Sequence, residues 1–266
     1  MAKAGGQNAP DGEGRKPGEQ TGLKAGSKEE RDLTNSQMCI MGCDRRSAIR
    51  LLPFVLSDGG VYRGREIYFT STDEALVEHF RAVAHEAFGY KGYVVKRSNG
   101  AYVVRIKGRG YVECLADVVP EVVCKPRCAV KLPQELYRHA DVAKWFIKVY
   151  ASCDGGISVM LGKRGKYRFL VRRVFITAKD PDIRSQIAEL WRTLGYRPHD
   201  DRDKHIYISN KEDLVKYAQE IRFLDGVKVT RNSKRFGGIE KNTLLDLVVK
   251  SYEDPHALDP FFPAAL

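Results

Sequence analysis

Asp58 and Asp154 are the residues whose type and position most directly suggest chemistry, because each opens an Asp-Gly-Gly tripeptide directly after an apolar segment. The two segments, residues 48–57 and 145–153, are apolar around almost the whole circumference of a helix, apart from Lys148 in the second. Helices of this kind are expected to be buried. Glycine is a common residue where a helix stops, but a carboxylate at that end opposes the helix dipole. Helix termination therefore explains the glycines, whereas two equivalently placed aspartates predict a site that holds cations.

The two aspartates would meet if the apolar helices pack side by side, since each lies at the same end of its helix. The carboxylates of Asp58 and Asp154 and the main-chain carbonyls of Gly59 and Gly155 are hard oxygen ligands, suited to Mg²⁺ or Mn²⁺. Beside a basic surface, such ions would meet a phosphodiester. The predicted chemistry is metal-assisted phosphodiester hydrolysis, in which metal lowers the pKa of water and stabilises the leaving oxygen.

The elements that must position these residues occur twice along the chain. After each Asp-Gly-Gly come alternating stretches typical of strands, and then a helical pattern that ends in Phe88-Gly89-Tyr90 or Leu194-Gly195-Tyr196. Further strands and a last amphipathic helix follow in both copies. Such internal repetition indicates a duplicated fold. We predict an α+β fold of two pseudo-symmetric αββαββα halves, residues 45–136 and 137–251, with the two apolar helices paired at the centre.

The two ends of the chain lack this periodicity. Residues 1–44 are rich in Gly, Lys and Glu, and a flexible tail is expected because they cannot bury enough apolar surface to offset chain entropy. Residues 252–266 contain three prolines. This C-terminal tail is either loose or held by Phe261 and Phe262 packing back on the body.

Basic residues recur on the predicted strands, together with tyrosines. A solvated sheet face is the ordinary explanation for any single strand. The formal net charge is +11, and residues 1–47 carry eight basic and seven acidic side chains, so the excess lies in the folded part. Together these features favour a nucleic-acid surface. The candidate contacts from the strands are Arg63, Arg65, Tyr68, Arg105, Lys107, Lys166 and Arg168.

The sequence also bears on whether the chain spans a membrane and on whether its cysteines bind zinc or form disulfides. No segment approaches the about 18 apolar residues of a membrane span, so we expect no membrane partner and a cytoplasmic, nucleoid-associated protein. The spacings Cys39-x3-Cys43 and Cys124-x3-Cys128 are compatible with zinc or with disulfides. They lack the flanking pattern of a zinc knuckle, and the alternatives remain open.

The two helix-ending segments resemble the two copies of the LAGLIDADG motif of homing endonucleases. The closest likeness is to the single-chain, two-motif archaeal enzymes encoded within introns or inteins, and it covers roughly residues 45–251. The resemblance implies a monomer whose two sheets straddle double-stranded DNA in the major groove and which cuts both strands across the minor groove. It also implies that Asp58 and Asp154 are the metal-binding catalytic carboxylates. The segments are Leu51-Leu52-Pro53-Phe54-Val55-Leu56-Ser57-Asp58-Gly59 and Ile147-Lys148-Val149-Tyr150-Ala151-Ser152-Cys153-Asp154-Gly155.

Further residues are carried over from the family by position. A basic residue after the third helix often positions water or steadies the transition state, and Lys125 and Lys228 match it. A polar residue at the end of the second strand commonly lines the pocket and contacts DNA, which points to Ser71 and Lys179.

The motifs depart from the family at one position, where glycine normally lets the two helices approach closely. Here the residues are Pro53 and Val149. Proline removes a helical hydrogen bond, so the first helix is expected to kink or loosen, and Val149 is expected to push the helices apart.

Three functions are compatible with this resemblance. The leading one is a site-specific DNA endonuclease that promotes the mobility of its intron or intein. A maturase-like protein that binds intron RNA, or a DNA-binding descendant that no longer cuts, is the alternative. A transcription regulator would normally carry an added helix-turn-helix, and neither tail contains a convincing one. The presence of both Asp58 and Asp154 favours the nuclease.

Overall fold

The computed structural model of the chain describes residues 44–123, 129–231 and 233–262. Its first half follows the predicted order of three helices and four strands. These are α1 Arg45–Leu56, β1 Gly59–Tyr62, β2 Glu66–Ser71, α2 Glu74–Phe88, β3 Tyr93–Lys96, β4 Tyr102–Lys107 and α3 Arg109–Ala116.

The second half repeats this order after a 3₁₀ turn, Pro120–Val123, and a short helix, α4 Glu135–Arg138. The predicted boundary between residues 136 and 137 falls inside α4. The repeated elements are α5 Ala140–Asp154, β5 Gly155–Arg164, β6 Tyr167–Thr177, α6 Pro181–Thr193, β7 His199–Asp200, β8 His205–Ile208 and α7 Lys211–Glu220.

Each half contains one antiparallel sheet of four strands, in the equivalent orders β1-β2-β4-β3 and β5-β6-β8-β7. The predicted α+β duplication is therefore confirmed. The halves differ in their first hairpin, because β5 and β6 have 10 and 11 residues whereas β1 and β2 have 4 and 6. The hairpin of the second half consequently extends beyond its helices, and its end is exposed on both faces.

The central helices α1 and α5 pack against each other, as the apolar segments predict. The indole N–H of Trp145 donates to the carbonyl of Arg50 at 3.0 Å, and the Arg50 guanidinium lies 4.5 Å from the indole centroid. Leu52 and Val149 are fully buried. Burial of such side chains contributes roughly 1.5–3 kcal/mol each, so the helix pair is a major part of the core.

Two local features explain the extent of α1. Asp44 is its N-cap, and its carboxylate accepts from the backbone N–H groups of Arg46 and Ser47 at 3.2 and 3.0 Å. Pro53 lies inside the helix without ending it, and the Ser57 N–H donates to the Pro53 carbonyl at 3.1 Å. The helix therefore continues to the residue before the cap, which places Asp58 directly after the cap.

Two further elements follow the second copy of the repeat and were not predicted: helix α8, Lys241–Lys250, and a 3₁₀ helix, Pro255–Phe261. The described part of the C-terminal tail is not loose but is held by Phe261 and Phe262, which pack back on the body as one of the two alternatives predicted. The rings of Phe261 and Phe262 lie 5.0 and 6.2 Å from that of Phe236, and Phe262 is buried.

The described helices are all too short or too polar to cross a bilayer. The cysteine pairs considered for zinc, Cys39/Cys43 and Cys124/Cys128, lie outside the described residues, as do residues 1–43 of the predicted tail. Cys153 is a free thiol, whereas Cys114 is disulfide-bonded.

Candidate functional site

Asp58 and Asp154 line one cleft of about 460 Å³, which we call the aspartate cleft. Asp58 follows the cap residue of α1, and Asp154 is the last residue of α5. Because α1 and α5 pack side by side, the two carboxylates approach from equivalent helix ends. Within the described part of the chain, no donor hydrogen-bonds to either carboxylate, so their oxygens are available to a cation.

The electrostatics of the cleft disfavour two negative charges. Loss of solvent around the carboxylate raises the pKa of Asp58 above its ordinary value. The same effect, followed by repulsion from Asp58, raises the pKa of Asp154 to about 6. A divalent cation would relieve this repulsion, whereas a proton on Asp154 would compete with it.

Glu121 also lines the aspartate cleft, and the sequence did not single it out. It lies in the 3₁₀ turn after α3, and its Oε2 atom is buried without a hydrogen-bond partner. Among the described residues, no group of three or more His, Cys, Asp or Glu is clustered as metal ligands. An ion held by Asp58 and Asp154 would therefore complete its coordination with water or substrate oxygens.

Gly59 and Gly155 have a packing role in the structure. A Cβ atom on Gly59 would lie 2.6 Å from the Tyr68 carbonyl oxygen, and one on Gly155 would lie 2.3 Å from that of Phe175. Only glycine lets the start of each first strand pass so close to its neighbour. The Gly155 carbonyl also accepts a hydrogen bond from Lys241, so it already has one partner. Metal ligation by either carbonyl stays a prediction.

Lys241, the first residue of α8, is the principal residue that sequence reasoning missed. Its ammonium group donates to the carbonyls of Ser152 and Gly155, both at 2.7 Å, and the residue is buried. Burial lowers the pKa of Lys241 to about 8, while Cys153, Asp73, Asp154 and Asp58 act in the opposite direction. The positive charge therefore satisfies the carbonyl end of α5 next to Asp154.

The carried-over basic and polar residues have different positions. Lys179 lines the aspartate cleft, and its charge favours the ionised form of Asp154, which offsets a small part of the rise in the pKa of that carboxyl. Lys228 is exposed and is not among the described residues that line the cleft; its backbone N–H donates to Asp73 at 2.8 Å. The Ser71 hydroxyl likewise serves the chain locally, accepting from the Asp73 N–H at 3.1 Å. Lys125 lies outside the described residues.

The solvent-facing side of the first sheet, which we call its open face, carries three of the predicted contacts. Tyr68 and Arg105 are directly opposite each other on β2 and β4. The Arg105 guanidinium pairs with Glu66 at 2.8 Å, and the Lys107 ammonium lies 4.9 Å from the Tyr93 ring centroid. These side chains therefore form one mixed basic and aromatic surface.

The other predicted contacts lie at positions different from those that strand alternation predicts, and their contact with DNA stays a prediction. Arg63 and Arg65 lie in the turn between β1 and β2, with Arg63 in the left-handed region at φ 52°. Lys166 lies in the turn between β5 and β6. The sequences Arg-Gly-Arg at 63–65 and Arg-Gly-Lys at 164–166 have the spacing of basic residues on one face of a strand. The chain turns at their glycines instead.

Arg168 is on strand β6, on the side that carries the fully buried Val174 and Ile176 further along the strand, but it lies at the exposed end of the hairpin and is itself exposed. Alternation along a strand places residues of equal parity on one face. The open face of the second sheet instead carries Arg173, whose guanidinium lies 4.1 Å from the Tyr207 ring centroid. The same alternation places Arg164, Tyr167 and Phe169 on that face near the exposed end of the hairpin.

Comparisons with known proteins give one sequence match and several structural ones. Residues 141–222 match the family model of the LAGLIDADG-like domain, a range that begins in α5 and ends just after α7. A comparison with curated proteins found no match.

Three solved structures illustrate the structural matches. Mesophilic variants of the homing endonuclease I-DmoI are 18% identical over 66% of this chain and 90% of theirs, with a TM-score of 0.45. I-DmoI in complex with DNA and Ca is 16% identical over 66% of this chain and 89% of its own, with a TM-score of 0.44. The meganuclease I-SmaMI bound to uncleavable DNA is 13% identical over 79% of this chain and 92% of its own, with a TM-score of 0.46.

Proposed function

We propose that this chain is a monomeric, site-specific DNA endonuclease of the LAGLIDADG type that makes a metal-dependent double-strand break. The observation that carries the proposal is the meeting of Asp58 and Asp154 in one cleft, at the ends of the two central helices of a duplicated fold. The match of residues 141–222 to the LAGLIDADG-like domain supports it. A single chain with both halves needs no second copy to form the site.

The residues of the aspartate cleft are chemically suited to Mg²⁺ or Mn²⁺. Mg²⁺ usually keeps several waters and is bound by one or two carboxylates together with substrate phosphates. Asp58 and Asp154 supply two carboxylates without competing donors in the described part of the chain, and the buried oxygen of Glu121 has no other partner there. When bound, the metal supplies activation of water and stabilisation of the leaving oxygen.

The surrounding residues would bind and orient the DNA. Lys179, at the rim of the cleft, supplies positive charge where a phosphodiester would enter. The open faces of the two sheets present Arg105, Lys107 and Arg173 beside tyrosines. Cationic side chains of this kind position phosphates, and strand side chains can reach base edges in the major groove.

The biological role that follows is homing, as in the archaeal single-chain enzymes that the motifs resemble. A break in an allele that lacks the intron or intein would promote copying of that element into it. The substrate would be duplex DNA of the cytoplasm or nucleoid, with a recognition sequence spread over both sheet faces.

The test uses the gene that contains this coding sequence. Plasmids that carry the allele without the intervening element, or with it, are incubated with the protein in Mg²⁺. Linearisation of only the plasmid with the uninterrupted allele is expected. The plasmid whose allele contains the intervening element is the control and should stay uncut. Absence of cleavage of both alleles in Mg²⁺ and Mn²⁺, with selective binding to the intron RNA, would favour the maturase instead.

A further inference from the structure

We propose that residues 228–231 and 233–239, which we call the basic loop, bind the sugar-phosphate backbone of duplex DNA beside Asp154. The loop connects the α7 region to α8 and lies outside the repeated elements. Its identification as a DNA contact rests on the proposed function for the nature of the polyanion, whereas its charge and shape are independent of that proposal.

The charge of the basic loop is entirely positive. Its cations are Lys228, Arg231, Lys234 and Arg235, and no acidic residue occurs from Val227 to Ile239. Arg231, Lys234 and Arg235 are exposed and form no ion pair with any residue that the structure describes. Unpaired cations close in sequence repel one another, and a polyanion removes that cost.

The described residues of the basic loop are held in a defined position, although they form no helix or strand. Its two ends are joined by backbone hydrogen bonds from Val229 N–H to Ile239 at 2.8 Å and from Gly238 N–H to Val229 at 3.0 Å. Phe236 is buried against the two phenylalanines of the C-terminal segment, and the Arg235 guanidinium lies 4.5 Å from the Phe262 ring centroid. The 3₁₀ segment therefore supports the loop from behind while Arg231 and Lys234 face solvent.

A cavity of about 530 Å³ separates the basic loop from the beginning of β5. One wall is formed by Thr230, Ser233, Lys234 and Arg235, and the other by β5 from Gly155 onward. No acidic side chain lines it among the described residues. Because β5 begins directly after Asp154, a DNA sugar-phosphate backbone bound in this cavity would lead toward the aspartate cleft.

The combination of hydroxyl-bearing residues, cations and a supported wall suits a chain of phosphates. DNA is the partner that these observations favour, because one wall of the cavity is the strand that directly follows the predicted catalytic residue Asp154. Phosphate contacts carry no sequence information, so the basic loop is expected to set affinity and register on DNA.

The experiment compares the full chain with the variant R231Q/K234Q on a duplex of random sequence of about 30 base pairs, or roughly three helical turns. Arg235 is kept because its stacking on Phe262 holds the loop. The loss of two phosphate contacts should make the slope of log affinity against log salt shallower by about 1.8. The ratio of parent affinity to variant affinity should therefore be about 60-fold larger at 0.1 M salt than at 1 M. The matched control R138Q/R192Q removes exposed cations of α4 and α6 and should leave the slope unchanged.

The outcomes distinguish this proposal from the function on which it rests. An unchanged slope in a folded R231Q/K234Q variant would overturn the basic loop while leaving cleavage by the parent protein intact. If the parent binds no duplex DNA, both proposals fail. A variant weakened only toward an RNA duplex of the same length would overturn DNA as the partner. The charge reversal R231E/K234E, with circular dichroism and Tm as folding controls, should weaken DNA binding further.

Discussion

The ammonium group of Lys241 lies 2.7 Å from the carbonyl oxygen of Gly155, the residue that follows Asp154. The same group donates to the Ser152 carbonyl, so one side chain from α8 satisfies carbonyls on both sides of the acid. The equivalent end of α1 uses the Ser57 hydroxyl, which donates to the Pro53 carbonyl at 2.8 Å. The two halves therefore hold equivalent acids by different means.

Replacing Lys241 with Met is expected to destabilise the protein by about 1–3 kcal/mol, because it leaves buried carbonyls without a donor. Urea unfolding followed by circular dichroism measures the change. The control is Lys250→Met at the exposed end of the same helix, where a change within about 0.5 kcal/mol is expected. Equal stability of the two variants would show that the contact to Gly155 contributes nothing net.

The duplicated fold could be predicted from the sequence because its signals are local. The same landmarks occur in the same order in both copies: an apolar segment, then Asp58 or Asp154, then Gly89 or Gly195. The structure contains the elements in that order. The contacts of Lys241 are different in kind, since they join α8 to the end of α5 across about 90 positions. Alternation alone could not reveal that contact.

The strand faces show a second reason why the placement of the basic residues could not be read from alternation. A turn of three residues between β1 and β2 puts Arg63 and Arg65 at a hairpin end, although their spacing is that of a strand. Arg168 is on a strand, but its face depends on which parity packs against the helices. The sequence has hydrophobic residues of both parities there, so only the tertiary packing of Val174 decides it.

Glycine at position 155 is expected to be indispensable for packing. Gly155→Ala would place Cβ 2.3 Å from a backbone oxygen of Phe175, and overpacking of this kind costs typically about 1–3 kcal/mol. Gly156→Ala is the matched control, because its Cβ would lie 3.5 Å from the Phe175 ring. Thermal unfolding should show a clear loss for the first variant and a small change for the second.

The raised pKa of Asp154 predicts a pH-dependent stability. Its folded-state pKa of about 6 exceeds the ordinary 3.8, so its contribution is fully present below about pH 4 and is lost as the pH rises through 6. Asp154→Asn should therefore be more stable than the parent at pH 7, by about 1–2 kcal/mol after solvent screening, and the difference should vanish near pH 4. Denaturant titrations at both pH values measure it, and a parallel difference at both would contradict the assignment.

Divalent metal should reverse that order. Mg²⁺ or Mn²⁺ binds the ionised pair Asp58 and Asp154, so millimolar metal is expected to raise the Tm of the parent at pH 7.5. The shift should be smaller at pH 5.5, where a proton competes on Asp154, and should be absent in Asp58→Asn/Asp154→Asn. Chelation with EDTA should restore the metal-free Tm. A shift of equal size in the double variant would locate the metal elsewhere.

Catalysis and binding should separate in the same carboxylates. Asp58→Asn or Asp154→Asn keeps the size of the side chain but removes the charge that holds the metal, so cleavage should collapse. DNA affinity should survive or rise, because phosphates are held by the sheets and a negative charge has been removed. If the two acids share a central ion, either single variant should spare both strands, and this is the expected result.

A supercoiled plasmid with the target distinguishes nicked, linear and uncut products, and a gel-shift assay measures binding. Nicking by a single variant would indicate partly independent sites in the two halves, whereas full double-strand cleavage by the double variant in metal-controlled buffer would place the chemistry outside these residues.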